Sequence, residues 1–191
     1  MRSIVRAVLV LMVLASAAFA ATQPKVKAPS IVDQGKAYCT STGGVLELRS
    51  AVWGTNNSQQ DWLWLTAQEA FCQYTASDGS RIHLSVQTLF SGKPTLAALA
   101  YYAQVPWNGQ GNGNPASYYC TQLGGAEIGA TDFAGGGWVL LGSIDEALEA
   151  CIFPDNSTID SWGLFYHSDA IVRGIDLASV LKYGNPYAVK K

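Results

Sequence analysis

Tyr38-Cys39-Thr40-Ser41-Thr42-Gly43-Gly44 and Tyr119-Cys120-Thr121-Gln122-Leu123-Gly124-Gly125 share the pattern Y-C-T-x-x-G-G. The residues after each copy also correspond. Val45-Leu46-Glu47-Leu48 and Ala126-Glu127-Ile128 both read as short strands, and Trp62-Leu63-Trp64-Leu65 parallels Trp138-Val139-Leu140-Leu141. Each run then reaches a second cysteine, Cys72 or Cys151, inside an apolar, β-prone stretch. Asp78-Gly79-Ser80-Arg81-Ile82 finally matches Asp155-Asn156-Ser157-Thr158-Ile159. Landmarks repeated in one order imply duplication: a degenerate first repeat over 33–103, a Gly/Asn-rich linker over 104–113 and a second repeat over 114–185.

Each repeat has a physical reading. Asp33 and Asn114 are N-cap candidates, and Pro115 suits the first helical position because its fixed φ matches the helix and its N–H is not needed. The Gly-Gly pair stops the helix, since glycine accepts the left-handed conformation there. Cys39 and Cys120 therefore fall in the last turn of a helix, and Cys72 and Cys151 on strands. Asp78-Gly79 and Asp155-Asn156 read as hairpin turns. A repeated unit must work by its own pairing, so the bridges expected are Cys39–Cys72 and Cys120–Cys151. The fold class expected is α+β: two tandem disulfide-stapled units, each a short helix packed on a small antiparallel sheet. Lys93 to Tyr102 reads as a further helix, Trp107 to Asn114 as a flexible linker, and Asp176 as the cap of a short helix through Leu181, stopped by Gly184.

Composition and the first residues place the product. Residues 1–20 have Arg2 and Arg6, an apolar run from Ala7 to Leu14, and Ala18-Phe19-Ala20, the pattern of a signal peptide cleaved before Ala21. No later run is long and apolar enough for a membrane span. In an exported, oxidising setting the cysteines read as disulfides rather than metal ligands. Among 191 residues only 14% are charged and the net charge is -2, which gives no basic surplus for nucleic acid.

The second repeat resembles a known family. Asn114-Pro115-Ala116-Ser117-x-Tyr119-Cys120, then Gly124-Gly125, then Cys151-Ile152-Phe153-Pro154-Asp155-Asn156-Ser157 and Trp162, looks like a small bacterial exported domain of unknown function. Its genome label is often hemolysin, a transferred name attached to no demonstrated reaction. The resemblance covers about 114–167, with Asn156 where members carry Gly and Ile159 where many carry another Cys. It implies export, a disulfide and a small α+β module.

Chemistry is thinly signposted. The two histidines, His83 on an alternating strand and His167 near a strand end, read as surface residues outside any catalytic motif. Asp145-Glu146 with Glu149 reads as a solvated loop or helical turn, and Gly135-Gly136-Gly137 as a turn lacking the Lys-Ser/Thr of a phosphate loop. Trp62, Trp64, Trp138 and Trp162 read as core; Trp53 and Trp107 sit among Gly and Asn and suit contact with a sugar or protein. No catalytic, metal or cofactor residue is expected. The function expected is a non-catalytic binding or structural module of the bacterial cell envelope, periplasmic or secreted. Its partner would be a protein or glycan, without nucleic acid or stable membrane insertion. The alternative is an inhibitor of a secreted or periplasmic protease, acting through the exposed turn Pro154-Asp155-Asn156.

Overall fold

The computed structural model describes residues 30–188 apart from 131, 132 and 142. The signal-peptide reading of residues 1–20, cleavage before Ala21 and the Lys190-Lys191 tail lie outside the described residues. The chain runs α1 (Ile31–Ser41), β1 (Val45–Trp53), β2 (Leu63–Thr75), β3 (Arg81–Ser85), α2 (Val86–Phe90), α3 (Leu96–Ala103), α4 (Pro115–Gln122), β4 (Gly136–Leu140), β5 (Ser143–Leu148), β6 (Ala150–Ile152), β7 (Thr158–Asp160) and α5 (Ser161–Ser168).

The two cysteine-bearing helices end alike and begin differently. Asn114 caps α4 with Pro115 in the first turn, as expected. The cap of α1 is Ser30 rather than Asp33: Ser30 Oγ accepts from Asp33 N at 3.1 Å, and the Asp33 carboxylate accepts from Ser30 N at 3.3 Å. This reciprocal pair satisfies two otherwise free N–H groups, so the cap lies three residues before Asp33 and the helix starts at Ile31. Each helix then stops on a left-handed glycine, Gly43 at φ 85° and Gly124 at φ 84°. The next glycine is needed for a different reason. A Cβ added at Gly44 would lie 2.3 Å from Cys72 Sγ, and one at Gly125 would lie 2.3 Å from Cys151 Sγ.

Both expected bridges form, Cys39–Cys72 and Cys120–Cys151. Their sequence separations are 33 and 31, and each is worth about 3–4 kcal/mol on the chain-entropy model. Cys72 stands opposite Leu84 across β2–β3, and Cys151 opposite Ile159 across β6–β7. Leu84 and Ile159 are themselves paired across β3–β7.

That last pairing changes the architecture from the expected one. The strands do not form two small sheets but one antiparallel seven-stranded sheet in the order β5-β4-β1-β2-β3-β7-β6. Its two ends, β5 and β6, are separated in the chain by Glu149 alone. They are successive pieces of one run, pairing with β4 through Leu148 and with β7 through Ala150. The two ends of the sheet thus meet in one chain run, giving a ring in which β5 is paired with β4 alone among the described strands. Arg81 of β3 and Glu146 of β5, distant in strand order, meet at 2.8 Å.

Side-chain alternation gives the ring an outside and an inside. Cys72, Tyr74, Ile82, Leu84, Cys151 and Ile159 point outward into the main core with the helices, together with Tyr101, Tyr119 and Leu164. Ala51, Phe71, Trp138, Leu148 and Ala150 form a smaller inner core, where the Phe71 and Trp138 rings meet edge-on at 5.4 Å.

Several local expectations shift in this frame. Ala126-Glu127-Ile128 makes only one bridge, Ala126 to Ile152. Residues 143–148 form β5, so Asp145 and Glu146 sit on a strand and not in a loop or helical turn. The 104–113 segment is tied to α4: Tyr119 Oη donates to Val105 O, Gln122 Nε2 to Pro106 O, and Asn108 N to Gln122 Oε1. Trp107 is consequently half-buried, packed edge-on against Phe165 at 5.2 Å, not displayed on a free linker. Trp53 ends β1 and is half-buried. Trp138 is core, whereas Trp62 and Trp162 are half-buried and Trp64, on the exposed first half of β2, is 43% exposed. Asp176 caps a short 3-10 turn over Leu177–Ser179.

Candidate functional site

Two openings of the ring are distinguished by which residues face inward. Along β1, Arg49 precedes Ala51; along β3 into the start of α2, His83 precedes Val86; along β7, Thr158 precedes Asp160. Arg49, His83 and Asp160 line one cavity of about 530 Å³, and Ala51, Val86 and Thr158 line another of about 530 Å³. Because neighbouring strands are antiparallel, these are opposite ends of the ring, one polar and one apolar.

The polar mouth is built around His83. Its Nδ1 lies 3.3 Å from Asp160 Oδ2 and its Nε2 lies 3.5 Å from Glu47 Oε2. Glu47 Oε2 also accepts from Arg49 Nε at 2.8 Å, and Arg49 Nη1 donates to the carbonyl of Trp138 at 3.0 Å. Asp160 Oδ1 accepts from Gly163 N at 2.8 Å, which caps α5. Arg49, His83 and Asp160 are all buried. Buried charges are tolerated only when paired, and here each has an opposite or hydrogen-bonding neighbour. The surface reading of His83 is thus corrected: ring closure covers its strand on both faces. Both ring nitrogens face carboxylates, so the imidazole is not positioned against a nucleophile. Around this centre Arg81, Glu146, Glu149, Trp162 and Arg173 complete the wall. Arg173 also stands 5.1 Å above the Tyr166 ring.

Next to this mouth, Glu149 Oε2 accepts from Asn114 Nδ2 at 2.7 Å and from Trp162 Nε1 at 2.6 Å. Ser117 Oγ donates to Glu127 Oε2. Burial pushes the Glu127 carboxyl above its ordinary range, against the Ser117 hydrogen bond, and the nearby Glu149 charge acts in the same direction as burial. Asn114, Ser117 and Trp162 of the N-P-A-S…W pattern therefore tie α4 and α5 to two carboxylates. In the sequence Glu127 reads only as part of a short strand, and Glu149 as part of a solvated loop or helical turn. The donors of half-buried Asn114 and Trp162 and of buried Ser117 are the signal, since each requires an acceptor.

Residues 111–168 match a family model described as Domain of unknown function (DUF333). No curated protein and no solved structure matches the chain. Asn114, Ser117, Glu127, Glu149, Asp160 and Trp162 lie inside the DUF333 segment, whereas Glu47, Arg49 and His83 lie outside it. The polar mouth is thus assembled from the DUF333 segment, from the chain preceding it and from Arg173 after it.

The sequence-selected contact residues are scattered. Pro154, Asp155 and Asn156 are exposed at the β6–β7 turn, where Asp155 accepts from Leu96 N at 2.8 Å and Asn156 has φ 60°. Trp53 and Trp107 are elsewhere, and none of the five lines the polar mouth. Among the described residues no cluster of three or more His, Cys, Asp or Glu is arranged to hold a metal ion. Among the same residues no helix is long and apolar enough to cross a membrane.

His167 is also buried rather than superficial, and it belongs to α5 rather than to a strand end. Its ring stacks on Tyr101 at 3.8 Å, and its Nδ1 has no hydrogen-bond partner. Burial holds its pKa below the ordinary value of 6.5. The unfolded chain then protonates first, so this residue's contribution to stability is present above about pH 6.5 and lost as pH falls toward the folded value. Urea midpoints measured at neutral and mildly acidic pH should fall less on acidification in His167→Phe, which keeps the stack, than in the parent. Equal falls would show that His167 is not the group responsible.

Proposed function

We propose that the protein is an exported, non-catalytic binding module whose polar mouth takes a glycan. The observation that carries this reading is the mixed lining of that cavity: three arginines and three carboxylates beside Trp162. Sugar hydroxyls both donate and accept, and so suit interleaved cationic donors and carboxylate acceptors. The balanced charge does not favour a polyanion, and a half-buried indole offers an apolar face for a sugar ring. Export is supported by the signal-like sequence of residues 1–20 and by the two disulfides.

The reading includes an internal duplication whose two copies have fused into one ring. The paired left-handed glycines, the paired glycine–disulfide contacts and the equivalent Cys72–Leu84 and Cys151–Ile159 registers support it. Leu84 and Ile159, equivalent by register, meet where the copies join. A second reading, inhibition of a secreted or periplasmic protease, is favoured by the exposed Pro154–Asn156 turn held by Asp155 close to Cys151.

A glycan array probed with the chain from Ala21 onward, followed by calorimetry on the best hit, tests the main reading. Arg81 and Arg173 lie at the rim, so Arg81→Ala with Arg173→Ala should leave the urea midpoint almost unchanged. Loss of their hydrogen bonds should weaken binding about tenfold or more. Absence of any saturable glycan, or equal affinity in the double variant, would refute it. A protease panel separates the second reading.

A further inference from the structure

Most charges in the wall of the polar mouth are paired off within the protein. Arg49 Nε bonds Glu47 at 2.8 Å, Arg81 bonds Glu146 at 2.8 Å, and His83 Nδ1 faces Asp160 at 3.3 Å. Two lining groups of opposite sign remain, Arg173 and Glu149. Among the described residues neither has an ion-pair partner. The Arg173 guanidinium rests over the Tyr166 ring at 5.1 Å and donates no hydrogen bond to the described residues. Ser80 hydrogen bonds, and to a lesser extent the Arg173 charge, hold the exposed Asp78 carboxyl below its ordinary range; Asp78 and Arg173 stay beyond ion-pair distance. Glu149 Oε2 takes only neutral donors, Asn114 Nδ2 at 2.7 Å and Trp162 Nε1 at 2.6 Å, and Oε1 takes none. Neither Glu149 Oε1 nor a nitrogen of Arg173 is among the buried polar atoms that lack a partner, so both reach solvent in the cavity they line.

Aromatic rings set the spacing between these two charges. Arg173 stands over Tyr166, whose ring centroid is 5.8 Å from that of Trp162, and the Trp162 indole N–H in turn holds Glu149. Trp162 also meets Phe165 edge-on at 5.9 Å. Held at its nitrogen and by two neighbouring rings, the half-buried indole is oriented before any ligand arrives, which lowers the ordering cost of binding. Two aromatic rings separate the charges, a span that suits groups on adjacent sugar units better than the ammonium and carboxylate of one amino acid. An anionic ligand would meet Glu149, and a cationic one would meet Arg173. A ligand with both charges in register makes two charge-assisted hydrogen bonds, each about twice as strong as a neutral one.

We infer that the polar mouth selects a zwitterionic glycan, with its carboxylate on Arg173, its ammonium group on Glu149 and a sugar face on Trp162. This assignment rests on the glycan reading and narrows it.

The test is calorimetry on the full chain from Ala21 with the disaccharide of glucosamine and glucuronic acid, which carries one ammonium and one carboxylate on adjacent rings. Saturable binding is expected. Acetylating the amine, or reducing the carboxylate to an alcohol, should each weaken it about tenfold. Arg173→Gln should lose about tenfold for the zwitterion and nothing for the form without the carboxylate. Glu149→Gln keeps an oxygen for Asn114 and Trp162, and should lose about tenfold for the zwitterion and nothing for the acetylated form. Should Glu149→Gln fail to fold, the modified sugars on the parent chain still decide the matter. Alanine, a zwitterion without a sugar face, should bind about tenfold more weakly or worse. Equal binding of the doubly modified, neutral disaccharide would overturn the charge pair and leave the glycan reading standing. Alanine binding as tightly as the disaccharide would overturn the sugar. A loss in Arg173→Gln that is the same with and without the sugar carboxylate would overturn that contact. Absence of binding by every saccharide would overturn both readings.

Discussion

Gly125→Ala should destabilise the protein by about 3 kcal/mol, a fall of roughly 10 °C in Tm for a chain of this size. The added methyl would stand 2.3 Å from Cys151 Sγ and 3.0 Å from Cys120 Sγ, against an ordinary contact of about 3.5 Å or more. Those sulfurs cannot swing away, because each is bonded to the other and anchored in α4 or β6. The helix end must move instead, breaking the Gly125 N–H bond to Cys120 O. Gly124→Ala is the control within the same pair. Its Cβ would meet nothing within 4 Å, so only the left-handed φ of 84° is strained, at about 1–2 kcal/mol. Thermal unfolding of the two variants should therefore separate clearly, with Gly125→Ala the worse. Equal losses would mean that the glycine is needed for backbone freedom and not for room beside the disulfide.

The parts legible in the sequence were those set by neighbours along the chain. The helix stops at Gly43 and Gly124, the Asn114 cap, the β6–β7 turn and both bridges follow from local rules. Ring closure was not legible, because it depends on Glu149 alone separating two strand pieces that pair with opposite ends of the sheet. The polar mouth was hidden for the same reason. In β1, Leu46 and Leu48 are 39% and 50% exposed, while Arg49 is buried and Glu47 lies against it. An alternating strand ordinarily buries its apolar residues. Here the inner face belongs to a charged cluster, and only the closed ring shows which face is inner. In β3 both faces are buried: His83 faces the charged cluster while Ile82 and Leu84 point into the helix-covered core.

Asp160→Ala should cost about 3 kcal/mol, the other large effect. One carboxylate oxygen caps α5 at Gly163, a contribution of about 1 kcal/mol. The other faces His83 Nδ1, and removing it leaves a buried imidazole short of a partner, at about 1–3 kcal/mol. Asp160→Asn keeps an oxygen for the cap and should lose less.

The most direct measurement is the double-mutant cycle between Asp160, within the DUF333 segment, and His83, outside it, read from urea unfolding of the four proteins. A ring that joins both halves around one buried cluster requires a coupling of about 1 kcal/mol or more, with tryptophan and backbone signals unfolding together. Additive losses, or a DUF333 segment that stays folded after β1 to β3 are lost, would contradict it.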